Sequence, residues 1–170
     1  MTEPVAGRLR GLLGSDVYTV KGRLRADDLL VRERVGRGLG EASARLRQLA
    51  SEWRADQVPP STRAQPFPPA EVMEPIRRAE RLGRTIADVS TAVGGRPLMS
   101  QDRVWDRVRQ VGLDELLQFD WTMVGESDAL ALDITQCGAL DQLDILAAQE
   151  RITRLREAIA DRRRYLEILA

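Results

Sequence analysis

Ser127 to Ala170 reads SDALALDITQCGALDQLDILAAQERITRLREAIADRRRYLEILA, a run without proline whose apolar residues recur at helical spacing. Ile145, Ala148, Ile152, Leu155, Ile159, Leu166 and Leu169 step by threes and fours along one face, interrupted at Arg162. That spacing predicts one long C-terminal helix with a coiled-coil-like seam. Ser127 is suited to cap it by accepting a bond from a first-turn amide, and Asp128 suits the positive end of the dipole. Arg162, Arg163 and Arg164 suit the negative end. At 1.5 Å per residue such a helix is about 60 Å long. It therefore overhangs its neighbours unless it bends near Gly138, which has no side chain to hold the turn rigid.

Ile152, Leu155, Ile159, Arg162, Leu166 and Leu169 are the expected association seam, with the lone charge of Arg162 setting register or selecting a partner. The alternative is an intramolecular bundle whose first helix covers the whole stripe. Followed upstream at about 100° per residue, the stripe runs through Leu130, Ile134 and Cys137 but also collects Asp141 and Asp144. Two carboxylates on an inward face predict a buried ionic contact, with an arginine of this chain, a metal or a partner neutralising them.

Outward from that run, Ser100 to Val124 is helical with Val104, Trp105, Val108 and Val111 facing inward. Gly112 divides it from a short segment rich in bulky side chains, Leu113 to Trp121. Ala70 to Val93 is a second helix, with Val72, Ile76, Ala79, Leu82, Ile86, Val89 and Val93 on one face and Gly94-Gly95 ending it. Pro75 predicts that Ala70 to Glu74 is a separate turn. Asp27 to Arg54 is a third, with Val31, Val35, Leu39, Ala42, Leu46, Leu49 and Trp53 in phase. Gly36-Arg-Gly-Leu-Gly40 marks either a break in it or a close helix contact, since each interior glycine costs about 1 kcal/mol relative to alanine. The glycine spacing matches no nucleotide-binding fingerprint.

Val58 to Pro69 holds five prolines and is the clearest linker. Within it, Arg63-Ala-Gln-Pro66-Phe-Pro-Pro69 fits the Arg-x-x-Pro-x-x-Pro form read by aromatic grooves. Residues 1–26 are expected to be an arm, a short helix followed by the strand-like Asp16 to Val20. The domain that follows covers residues 27–170. The whole is an all-α, elongated four-helix bundle-like domain with a long C-terminal helix and a partly extended N-terminal arm.

Twenty-six basic residues balance 26 acidic ones, so no global field draws the chain to nucleic acid or an anionic membrane. Aromatic residues make up only 4%, which favours helices over a β-sandwich. One cysteine, Cys137, permits no internal disulfide. The absence of histidine removes Ser-His and Cys-His nucleophile pairs and the usual metal ligand. No run of roughly 20 apolar residues exists to span a bilayer, and a cytoplasmic location is expected.

These features predict a non-enzymatic adaptor, accessory or regulatory protein, binding a protein partner or a second copy through the C-terminal helix, without cofactor or metal. Two alternatives belong to other classes. Arg151, Arg154, Arg156 and Arg162 to Arg164 could bind phosphates of nucleic acid, but Glu150, Glu157, Asp161 and Glu167 interleave with them as on a solvated coiled-coil exterior. The pairs Glu71/Glu74 and Asp141/Asp144 could hold Mg²⁺ as in helical nucleotide pyrophosphohydrolases. Against that, Glu71 and Glu74 sit at a proline-marked helix start.

Overall fold

A computed structural model describes residues 5–14, 24–63, 65–95, 102–108 and 112–169. The helices are α1 (Val5–Leu13), α2 (Leu24–Gln57), α3 (Ala70–Gly94), α4 (Asp102–Arg107), α5 (Leu113–Thr135) and α6 (Ile145–Leu169), with a 3₁₀ turn at Leu140–Gln142. No strand occurs among the described residues.

The periodic faces read from the sequence are the core. On α2, Val31, Val35, Leu39, Ala42, Leu46 and Leu49 are all buried, and on α3 so are Ile76, Ala79, Leu82, Ile86, Val89 and Val93. Trp53 closes the α2–α3 pair by donating its indole N–H to Val72 O at 2.9 Å. Cross-helix contacts fix the directions. Along α6, residues 151, 154, 162 and 165 meet residues 133, 126, 120 and 112 in descending order, so α5 and α6 are antiparallel. Arg34 meets Asp128 and Arg45 meets the Cys137 carbonyl, so α2 and α5 run parallel. Around the bundle the order is α2, α3, α6, α5, with α1 laid over α5.

Three local expectations are corrected or decided. First, the run from Ser127 to Leu169 is not one helix. Ser127 lies buried in the middle of α5, its hydroxyl donating to Val124 O at 2.9 Å, so it caps nothing. The chain leaves helix after Thr135 and re-enters at Ile145, bending at the region marked by Gly138. Folding back buries both halves against each other, where a straight rod would leave one half exposed.

Second, of the two outcomes expected at Gly36 to Gly40 the break does not occur and the close helix contact does: α2 runs unbroken. Val35, Leu39 and Ala42 anchor that turn in the core, which offsets the poor helix propensity of the glycines. Gly38 marks a close crossing, because a Cβ there would lie 3.1 Å from Ser127 O. Third, α3 starts at Ala70 and continues through Pro75. The carbonyl that Pro75 leaves without a donor belongs to Glu71, an exposed residue that water can serve.

The N-terminal segment opens with the expected short helix, α1. Leu9 of α1 is fully buried, and the Arg8 guanidinium stacks 5.1 Å from the Trp121 ring centroid. Gly14 ends α1 in the left-handed conformation, φ +71°, its N–H returning to Arg10 O. The strand-like Asp16 to Val20 and Ser100, where the Ser100 to Val124 helical region is expected to begin, lie outside the described residues.

Candidate interaction surfaces

The expected association seam faces inward. Ile152, Leu155 and Leu166 are buried in this chain's own core, while Ile159 and Leu169 are half-buried against it. Arg162 is only 5% exposed. Its Nε donates to Asp120 Oδ1 at 2.5 Å, and its Nη2 donates to Asp28 on the far side of the bundle. Arg32 Nε sits 2.9 Å from the other oxygen of Asp28, and Asp27 is buried beside it. The charge that interrupts the seam is thus the centre of an ionic cluster joining α2, α5 and α6. Desolvating these charges is expensive, so each ion is tolerable only with its partners present.

Asp141 and Asp144 are not the buried acids. Both are exposed. The bend between α5 and α6 breaks the helical phase that would have placed them on the inward stripe. Asp144 instead accepts the Ala147 N–H at 2.9 Å and so caps α6. The inward carboxylates are Asp28 and Asp120, each on an apolar line of its helix: Asp28 precedes Val31 and Val35, and Asp120 lies between Leu116 and Met123. That signal was legible once the helix boundaries were correct, since a charge in phase with a buried stripe needs a counter-charge.

The bend itself forms a crevice of about 480 Å³ lined by Asp133, Cys137, Gly138, Leu143, Asp144 and Ala148, among others. The Cys137 thiol donates to Ala139 O at 3.0 Å, and Asp133 is held by Arg151 at 2.6 Å. Glu74 is held by Arg78 and Arg81, which keep its carboxyl below the usual range, Arg78 contributing most. Among the described residues no group of three or more Cys, Asp or Glu side chains is placed to hold a metal.

On α6 the arginines are largely spoken for. Arg151 bonds Asp133 and Glu126, Arg154 bonds Glu126 through two nitrogens, Arg163 pairs with Glu167, and Arg164 pairs with Asp161. The guanidinium of Arg151 is stabilised in its charged form chiefly by Asp133, and that of Arg154 by Glu126.

Further concave surface lies elsewhere. Along the outside of the α2–α3 pair run two cavities of about 580 and 390 Å³, the first lined by Leu29, Glu33, Gly36 and Val93 and bordered by Arg32 and Arg37, the second lined by Ser43, Ala50, Gly83 and Ala87 and bordered by Arg47 and Arg84. Gly36, Gly40 and Ser43 share one line of α2, so the two cavities lie in line as a discontinuous trough, with Gly40 between them and lining neither. A Cβ at Gly36 or Gly40 would meet no atom within 4 Å. Among the described residues the exposed large apolar side chains are Leu29, Phe67, Leu132, Leu146 and Ile168. Sequence reading singled out the glycines for a possible break and missed the trough, because a groove exists only once α2 and α3 are side by side. No helix is long and apolar enough to cross a membrane among the described residues. No protein-family model, curated protein or solved structure matches the chain.

Proposed function

We propose that this protein is a non-enzymatic adaptor or accessory subunit that accepts a helix of a partner protein in the trough between α2 and α3. The carrying observation is the trough floor. Gly36 and Gly40 each cost α2 about 1 kcal/mol relative to alanine, yet among the described residues no atom lies within 4 Å of a Cβ placed at either. Small residues facing open space let a second backbone approach closely, which long side chains there would prevent. Leu29, exposed at one end of the trough, supplies apolar area for the same contact.

The C-terminal stripe supports this reading less well, because its central residues already pack inside the bundle. The nucleic-acid reading is weakened in the same way by the carboxylates that engage the arginines of α6. The test introduces bulk where the fold has room. Gly40→Leu combined with Ala87→Leu is expected to keep helicity and melting temperature while abolishing stoichiometric copurification of a partner from the native cell. If light scattering shows the intact protein to be a dimer and the variant a monomer, the partner is a second copy. Unchanged mass and an unchanged set of copurifying proteins would overturn the reading.

A further inference from the structure

We infer that Phe67 is the anchor of a second docking site, separate from the trough, which inserts into an aromatic-lined cleft of a partner protein. Phe67 is 81% exposed, the most open of the large apolar side chains described. Single exposed apolar residues are ordinary on protein surfaces. What distinguishes this one is the backbone that presents it.

Phe67 lies between Pro66 and Pro68, and Pro69 follows. Each proline fixes its own φ and also disfavours the helical region for the residue before it, which restricts Gln65, Phe67 and Pro68, and the chain bends at Phe67. Pro69 has φ −55° and ψ 139°, the polyproline II conformation. Both ends of the segment are tied down. On one side Thr62 and Gln65 exchange backbone bonds of 3.1 and 3.2 Å, and the Thr62 hydroxyl accepts from the same Gln65 N–H. On the other, Pro69 O accepts the Met73 N–H at the start of α3, and Pro68 and Pro69 are half-buried. The ring of Phe67 is therefore projected from a proline-stiffened bend, and binding it would cost little of the ordering entropy that a free loop loses.

The same geometry revises the Arg-x-x-Pro-x-x-Pro reading. With three residues per turn, a continuous polyproline helix would place Arg63, Pro66 and Pro69 on one edge. The backbone bonds between Thr62 and Gln65 are incompatible with such a continuous helix, and Pro69 is committed to α3. What remains outward is the Pro66–Phe67 pair, both exposed. A matching cleft needs an apolar pocket for one benzyl ring and an aromatic rim for a proline, with no acidic residue placed for Arg63.

The test places a photo-crosslinking benzoylphenylalanine at position 67 of the full chain in the native cell. The expected result is one dominant crosslinked product, its link mapped by mass spectrometry to a tryptophan- or tyrosine-rich peptide of another protein. Pro66→Gly with Pro68→Gly should remove that product. With the partner so identified and purified, Phe67→Ala should raise Kd about tenfold or more while Arg63→Ala leaves it unchanged. No product, a diffuse set of products, or links confined to a second copy of this chain would overturn the inference. The same crosslinker at Gly40 reports on the trough independently, so either site can fail alone.

Discussion

At the scale of single residues, Arg162 concentrates the most consequence. It carries the one charge inside the α6 stripe, and its two carboxylate partners come from helices distant in sequence. Arg162→Met leaves Asp28 and Asp120 buried without it, and is expected to destabilise the fold by about 3–5 kcal/mol in urea titrations. Adding Asp120→Leu should cost less than the sum of the two single changes, because the second substitution removes a stranded charge. Tyr165 is the second such residue. Its hydroxyl donates to Gly112 O at 2.7 Å, and its ring lies 5.9 Å from that of Phe119. A Cβ on Gly112 would fall 1.4 Å from that hydroxyl, so Gly112→Ala must displace the ring, at about 1–3 kcal/mol. Burial, with the Glu115 charge adding to it, raises the Tyr165 pKa above its ordinary value. A raised pKa in the folded state means that the phenol contributes stability fully below about pH 10, and loses it as pH climbs through the folded value. Tyr165→Phe should flatten that alkaline limb of the stability profile, as read by circular dichroism between neutral and strongly alkaline pH.

At the scale of elements, α2 carries glycines with two separate roles. Gly38 serves the crossing with α5, where added bulk meets the Ser127 backbone. Gly36 and Gly40 face open space, so Gly36→Ala with Gly40→Ala is expected to stabilise the isolated protein by about 1–2 kcal/mol and raise its melting temperature, whereas Gly38→Ala should lower it. The same contrast holds at the bend. Asp144 caps α6, and Asp144→Ala should cost about 1 kcal/mol, while Asp141→Ala, at an exposed position of the 3₁₀ turn, should fall within about 0.5 kcal/mol of zero in the same titration. The helical faces of α2, α3 and α6 were legible in the sequence because burial along a helix repeats every 3.6 residues. Gly138 marked where a bend would fall, but the ends of α5 and α6 were not legible. Thr135 to Asp144 holds no proline and only one glycine, so local signals favour continuation, and the gain from folding back is a tertiary one.

At the scale of the molecule, the ionic cluster sits at one end of the bundle and the Trp53–Val72 bond and the α5–α6 bend lie at the other. Leu155 is fully buried between them, so Leu155→Asp should abolish cooperative unfolding and most helicity, observable as loss of the 222 nm signal. Substitution of that residue therefore reports on folding and cannot report on association. The all-helical class, the inward faces and the proline-marked connection at residues 58–69 followed from the sequence by itself, because periodicity, glycine and proline act over a few neighbouring residues. Which stripe stays covered, which carboxylates neutralise Arg162 and where an open trough remains were decided only by the tertiary structure. Those depend on which helices lie side by side, and the pairings of Arg162 with Asp28 and of Gly38 with Ser127 join positions far apart in the chain, whose proximity no local pattern encodes.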